Sequence, residues 1–343
     1  LTQPVPGSSA RWKVPRIEGV PEVRSEQPSF SVVIAAYQAA ATIGAAVASA
    51  LDQTIPPKEV IVCDDGSTDD IGAALAPFGD RVLLLRQPNR GPGAARNRAI
   101  AAASGEFIDF LDADDAFHPR RHAALSALAV ARPDLGILVA DIAFDVNGKT
   151  KGSFYASNSF PTEGQREAIL RVDFLHQPLV RRDLVLREGG FDESLRVAED
   201  WDLWMRVILG GAAAGLVDEI LGRYRIHAES LSADRPRTWA ARARVLNKVA
   251  DDARLTPAER VAALQAASEL QVMGRVASAE HALLTGAGDA RRLSMDVAMD
   301  GRAPLRTRIK AAISVVAPRL AGRRLRSRGA DRSRRLSRSG LVD

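Results

Sequence analysis

The sequence predicts an α/β fold: a mostly parallel sheet flanked by helices, followed by a C-terminal helical extension. Two patterns carry that expectation. From Phe30 to Leu111, short β-branched or apolar runs alternate with alanine-rich helical stretches, as successive βαβ units do. After Pro236 strand formers thin out and Ala, Leu, Arg and Glu dominate, which reads as packed helices to about Met299. A chain of 343 residues with 46% hydrophobic content has enough apolar material for a sizeable core.

The first half resolves into strands over Ser31–Ala35, Glu59–Cys63, Arg81–Leu85 and Glu106–Leu111, with helices near Thr42–Leu51, Asp69–Ala76 and Gly93–Ala103. A helix over Pro119–Ala131 and a strand over Leu135–Ala140 follow, then a hairpin signalled by Asn147 and Gly148. Glu199–Gly210 has a helical period, and an extended run from Val217 closes at Tyr224–His227. Pro304–Arg328 spaces Leu305, Ile309, Ile313, Val316 and Leu320 along one helix face, with arginines between and beyond them. Pro318 should kink that helix, and beyond Gly329 the Arg/Ser-rich end should be disordered. The chain thus divides into a flexible leader (1–28), a main domain (29–235), a helical region (236–300) and a basic amphipathic helix with its tail (301–343).

Composition excludes several classes. Cys63 is the only cysteine, so no internal disulfide forms, and its place after Val60, Ile61 and Val62 reads as a buried core thiol. A reducing, cytosolic environment is therefore permitted. Apolar stretches such as Ile100–Ala103 and Ala311–Ala317 fall far short of the roughly 20 residues that cross a bilayer. The leader holds five prolines and no apolar core of secretory type. The net charge of +5 hides an asymmetry: residues 302–343 carry 13 Lys or Arg against Asp331 and Asp343, a balance of +11 that leaves −6 on the rest. The basic excess belongs to a tail and not to a nucleic-acid-binding body, so nucleic acid is not an expected partner.

The acidic clusters carry the chemistry. Asp112, Asp114 and Asp115 directly follow the strand that ends at Leu111, and in open parallel sheets the ligand crevice lies at the carboxyl ends of strands. Like charges so close oppose folding unless a cation intervenes, and hard oxygen donors suit Mg²⁺ or Mn²⁺. The plainer alternative is an acidic turn capping the next helix. A second acidic turn, Asp64–Asp70, also follows a strand; Ser67 or Thr68 there can cap a helix, whereas Asp65 is placed to accept a hydrogen bond from a nucleobase. The loop Asn89–Arg96 is a poor dinucleotide fingerprint, because Arg96 stands where glycine is needed. Its glycines allow a tight helix entry, with Arg90 and Arg96 available to phosphate oxygens.

Glu199 and Asp200 open a helix whose steps from Asp200 reach Leu203, Trp204, Val207 and Ile208, so the Asp200 side chain should point inward. Either it gains from the helix N-terminus, or it is a general base on a cleft wall. His227 could complete a divalent site if the extended run returns to the acidic cleft, although a lone histidine is usually structural. His118 can help cap the helix after the acidic cluster; His122, His176 and His281 receive no role.

Together these residues resemble glycosyltransferase family 2. The matching motifs are SVVIAAY (Ser31–Tyr37), Gln53 with Thr54, DDGS (Asp64–Ser67), NRGPGAARN (Asn89–Asn97), GEFIDFLDADD (Gly105–Asp115), GGFD (Gly189–Asp192), EDWDLWMR (Glu199–Arg206) and YRIH (Tyr224–His227), in the family's order. The resemblance spans about residues 29–232 and implies a Rossmann-like, glycosyltransferase A-type fold. It implies that Ala35 and Tyr37 line the nucleoside pocket and that Asp65 bonds the base. Asp112 and Asp114 take the place of the DxD pair, Asp114 contacting the metal and Asp112 the ribose or metal. Asp200 takes the place of the catalytic base, and His227 that of a cation ligand in some relatives. Gln38 departs from the usual Asn, and Ala35 carries no side-chain donor.

The expected reaction is inverting, metal-dependent sugar transfer from a nucleoside-diphosphate donor, a UDP-sugar foremost, to a hydroxyl of a glycan or lipid-linked acceptor in cell-envelope synthesis. The loops between Asp141 and Gln177 should set much of the specificity. The basic C-terminal helix fits an anionic membrane surface, which would place a cytoplasmic enzyme on the inner face of the membrane. Two other classes compete. A nucleotidyltransferase would show a Gly-rich loop with Lys where this chain has Gln38–Ala41, and a non-catalytic glycan-binding module would not need Asp200.

Overall fold

The computed structural model describes residues 27–146, 148–226, 234–323 and 325. Asn147, His227, most of the leader and the tail beyond Leu325 lie outside the described residues. β1 (Phe30–Ala36), β2 (Glu59–Asp64), β3 (Val82–Arg86) and β4 (Phe107–Phe110) run parallel in the spatial order β3-β2-β1-β4. α1 (Ile43–Leu51), α2 (Ile71–Leu75) and α3 (Pro92–Ala102) connect them. The order reverses at β1, which makes the β1/β4 edge the topological switch point where such sheets hold ligands. α2 is shorter than expected. Asp70 caps it through the Ala73 amide, at 2.8 Å, and a 3₁₀ turn over Ala76–Arg81 takes over where Pro77 cannot continue the α-helical hydrogen bonds.

The second half adds antiparallel pairing. After β5 (Ala116–Phe117) and α4 (Arg121–Ala131), β6 (Leu135–Val146) runs well beyond the expected end at Ala140. It pairs in parallel with β9 (Ala213–Ile226), from Leu135 opposite Ala213 to Val146 opposite Ile226. β7 (Lys149–Ser153) closes the expected hairpin, Val146 facing Lys149. The three-residue β8 (Leu179–Arg181) joins the halves by pairing antiparallel with both β4 and β6. Among the described residues nine strands form one sheet. Short helices α5 (Phe154–Ser157), α6 (Gln165–Ile169) and α7 (Arg182–Arg187) precede α8 (Glu199–Leu209).

Two features fix β4, whose end carries the acidic cluster. Its Asp109 is wholly buried, yet it accepts two hydrogen bonds from Arg121, at 3.0 and 2.9 Å, and lies 3.2 Å from His122 Nε2. Burial alone would raise the Asp109 pKa; Arg121 and His122 hold it below the ordinary value, so strand and α4 are locked by a charged pair. Cys63 is the expected core thiol, with burial pushing its pKa up to about 11.

The C-terminal region is helical as expected: α9 (Arg235–Val249), α10 (Pro257–Thr285), α11 (Ala290–Met299) and α12 (Leu305–Val316). α9 and the start of α10 share the main core, since Val245, Leu246, Ala263 and Ala267 pack in one cluster with Val33, Ile61 and Trp201. Pro318 does more than kink the last helix. Ala317 leaves helical geometry at φ −129° and ψ 60° and helix resumes only at Pro318, because a residue before proline is forced out of the α region.

Candidate active site

The parallel register brings three strand ends to one edge: Ala36 lies opposite Asp64, and Val33 opposite Phe110. Ala35 is half-buried there, and Tyr37 stands 53% exposed just past β1. Asp65 is buried. Its Oδ1 accepts from Gln87 Nε2 at 2.8 Å and from the Arg90 amide at 2.9 Å, and Oδ2 accepts from the Gly91 amide at 2.7 Å. Three of roughly four acceptor positions are thus occupied by the loop over 87–91, leaving one on Oδ2. Two glycines permit this closure. Gly66 has φ 80°, with a Cβ there falling 2.7 Å from the Asn89 amide nitrogen, and Gly91 has φ 98° just before Pro92 opens α3. Gln38, the family departure, ties the β1 end to the same turn by accepting from the amides of Thr68, at 3.0 Å, and Asp69, at 3.3 Å.

At the end of β4, Asp115 is buried against the Arg225 amide, 2.8 Å away, and the Gln177 side-chain amide. Burial, then the charges of Asp112 and Asp114, push its pKa well above the ordinary carboxylate range. That crowding is what a divalent cation would relieve. No group of three or more His, Cys, Asp or Glu side chains forms a ready cage among the described residues. A hard cation of phosphate chemistry needs only one or two carboxylates, its other ligands being water and phosphate oxygens, and Asp112 with Asp114 fit that donor set. His227 lies outside the described residues.

The two loop arginines both meet carboxylates. Arg90, on the surface, pairs with Glu193 at 2.6 Å. Arg96, on α3 and only 14% exposed, donates to Asp112 at 2.8 Å and to Glu199 at 2.6 Å, its guanidinium 5.3 Å from the Phe191 ring centre. Burial opposes its charge, but Asp112, Glu199 and Asp200 together raise its pKa. One side chain therefore links the strand-end acids to the helix that carries Asp200.

That helix is preceded by Ala198 at φ 63°. Among the described residues the other non-glycine positions with positive φ are Gln38 and Gln177, so all three flank this edge, as strained backbone at a working site does. Asp200 is half-buried and its Oδ1 accepts from the Trp201 amide at 2.7 Å. α8 is buried on almost every side, not along one stripe, because α9 covers its second face. Asp202, fully buried, binds Arg206 and Lys248, each at 2.8 Å, and Lys248 also reaches Asp192 at 2.6 Å.

Sequence reasoning missed two neighbours of Asp200. Burial, then the Asp200 charge, pushes the Asp173 pKa up to about 8, while Arg242 of α9 stands 3.9 Å away. His176 stacks on Phe154 at 5.2 Å, meets Tyr224 edge-on at 5.0 Å, and its Nε2 is buried without a hydrogen-bond partner. Burial lowers the His176 pKa while Asp112 and Asp200 oppose that, which places the ring between the two acids' fields. No spacing rule could join residues 154, 176 and 224.

Asp173 yields a pH prediction. Its folded pKa lies above the unfolded value of about 3.9, so its contribution is complete below about pH 4 and is lost as pH rises through 8. The loss per pH unit is at most about 1.4 kcal/mol for one proton. Asp173→Asn should flatten this fall, so that melts from pH 5 to 9 show the variant gaining on wild type as pH rises. Parallel curves would contradict the assignment.

Comparison with known proteins agrees with this fold. The family described as Glycosyl transferase family 2 matches residues 31–185. The succinoglycan biosynthesis protein ExoU of Rhizobium meliloti (strain 1021) is 36% identical over 201 residues, 53% of this chain. The aligned part is 57% of that relative's length. Staphylococcal (S. aureus) TarS 1–349 in complex with UDP-GlcNAc superposes with a TM-score of 0.59 at 19% identity, covering 86% of this chain and 88% of that one. The mannosyltransferase PcManGT of Pyrobaculum calidifontis, in complex with GDP-Man and Mn²⁺, gives 0.57 at 20% identity, covering 86% and 89%. Residues 31–185 thus match glycosyl transferase family 2, and the fold is of the glycosyltransferase A type.

Proposed function

We propose that the protein transfers a sugar, with inversion, from a nucleoside-diphosphate donor to an acceptor hydroxyl on a growing envelope polysaccharide or glycolipid. The observation that carries this reading is the Arg96 bridge, which sets the Asp112–Asp115 turn beside the Glu199–Asp200 helix start at the switch-point edge. Likeness to TarS with UDP-GlcNAc favours a UDP-sugar donor, and kinship with ExoU favours a polysaccharide product.

Tyr37 and the remaining Oδ2 position of Asp65 would take the nucleobase, Ala35 lining the pocket floor. Asp112 and Asp114 would hold Mg²⁺ or Mn²⁺, which supplies positive charge to the leaving diphosphate. Asp200 would accept the proton of the attacking hydroxyl at its free oxygen, Oδ2, since Oδ1 is engaged by the Trp201 amide. The new bond joins the acceptor oxygen to the anomeric carbon as the bond from that carbon to phosphate oxygen breaks on the opposite face. A single base and a single displacement invert the centre. Arg96 holds Asp112 and Glu199 in register throughout. The lone buried thiol Cys63 is compatible with a reducing cytoplasm, where this reading places the enzyme.

The test is thermal stabilisation by UDP-, GDP- and TDP-sugars with and without Mn²⁺. One nucleotide class at about 100 times its Kd should add about 2.7 kcal/mol, with a larger gain when Mn²⁺ is present. No shift with any of them would end the reading.

A further inference from the structure

An amphipathic helix in a globular protein turns its apolar stripe to the core. α12 does the reverse. Leu305, Ile309, Ile313 and Val316 are 68%, 52%, 58% and 82% exposed, and Leu320 beyond the break is 65% exposed. The half-buried positions are instead Thr307, Arg308, Ala311, Ser314 and Val315, and none of the helix is fully buried. At about 100° per residue the exposed apolar residues form one stripe, with Arg306 and Lys310 on one flank and Arg308 on the other. Beside it a groove of about 820 Å³ runs between α10, α11 and α12, with Val276, Leu283, Val297 and Ile313 in its walls together with Lys310 and Arg323. Ile313 belongs to both stripe and groove, so the two apolar surfaces are continuous.

The charge identifies the occupant. Residues 302–343 carry a balance of +11, and within them 326–343 hold six arginines against two aspartates with few large apolar residues. A second copy meeting this face would bring the same positive charge against it, and the polar segment beyond Leu325 has little with which to cover five exposed aliphatic side chains. A surface that is apolar within and anionic at its boundary satisfies both halves of the pattern. We propose that α12 docks on an anionic lipid leaflet, its stripe entering the boundary between headgroups and acyl chains and its basic flanks reaching lipid phosphates. The groove beneath accommodates a displaced acyl chain. This surface is separate from the sugar-transfer site, so either reading can fail without the other.

The test is co-sedimentation of the full chain with vesicles of phosphatidylcholine alone or mixed with phosphatidylglycerol. Binding should favour the anionic vesicles by roughly tenfold or more and weaken with salt. Ile309→Ser/Ile313→Ser/Val316→Ser, all at exposed positions, should cost roughly tenfold at unchanged circular dichroism and melting temperature. Arg306→Glu/Lys310→Glu should cost a similar factor. Equal binding to both vesicle types overturns the proposal. So does full binding by the triple-serine variant, which would leave only electrostatic attachment of the tail. A dimer in sedimentation velocity that the same variant abolishes, with no vesicle binding, would make a second copy the occupant and overturn it as well.

Discussion

Asp200→Asn should lower turnover by about 10²- to 10⁴-fold while donor-induced thermal stabilisation persists. The substitution is nearly isosteric, and the amide oxygen can still accept from the Trp201 amide, so the start of α8 keeps its geometry. What disappears is the basic oxygen that would receive the acceptor's proton. Glu199 cannot substitute, because its carboxylate is engaged by Arg96 at 2.6 Å and is largely buried. The loss should fall on kcat more than on KM, since the group acts in the transition state and not in holding donor. A second readout follows from Asp173. Its pKa is raised by burial and then by the Asp200 charge, so neutralising residue 200 should reduce the stability lost between pH 5 and 8. The assay is release of nucleoside diphosphate from whichever donor stabilises the protein. An unchanged rate would remove Asp200 as base, and lost donor stabilisation would make it a binding residue.

The parts of the site legible in the sequence are those determined locally. β2 and β4 each form from a largely apolar run ending in an acidic loop, so Asp65 and Asp112 could be placed at strand ends from composition and periodicity alone. The glycine-rich approach to α3 was equally visible, because Gly91 and Pro92 encode the helix start themselves. The second half was less legible for a physical reason. β8 has three residues and gains its identity from β4 and β6, and the long β6–β9 pairing is a register between segments about 80 residues apart. The inward aim of Asp200 was argued from one helix face, but α9 buries the other side of α8 too, so Glu199 and Asp202 are more enclosed than Asp200. The destination of Arg96 was invisible for a related reason: an arginine near a glycine-rich loop suits phosphate and carboxylate equally, and Glu199 lies 103 positions away. His176 offered no pattern at all, since its two aromatic neighbours, Phe154 and Tyr224, come from separate distant segments.

Arg96→Leu should be the most destabilising single change at the site, by about 3–5 kcal/mol, because it leaves a buried carboxylate without its partner. Of the two partners, Glu199 decides the magnitude. Its side chain is 9% exposed, whereas Asp112 is 42% exposed and its pair with Arg96 is worth little by comparison. Burial already raises the Glu199 pKa, Arg96 opposes that, and the Asp200 charge adds to it. Without Arg96 the folded-state pKa climbs further above the unfolded value of about 4.3. For an acid so shifted, stability is complete below the unfolded value and falls as pH rises through the folded one, so the variant's deficit should be larger at pH 8 than at pH 5. Urea unfolding at the two pH values measures this directly. Arg96→Lys should recover only part of the loss, since an ammonium cannot span Asp112 and Glu199 as the planar fork does. Glu199→Gln in the Arg96→Leu background should recover more, because it removes the orphaned charge itself. Additive costs in that double-mutant cycle would show that Arg96 and Glu199 do not act as a pair, and that the strand-end acids and the Asp200 helix are held together by packing of Phe110, Phe191 and Trp204 instead.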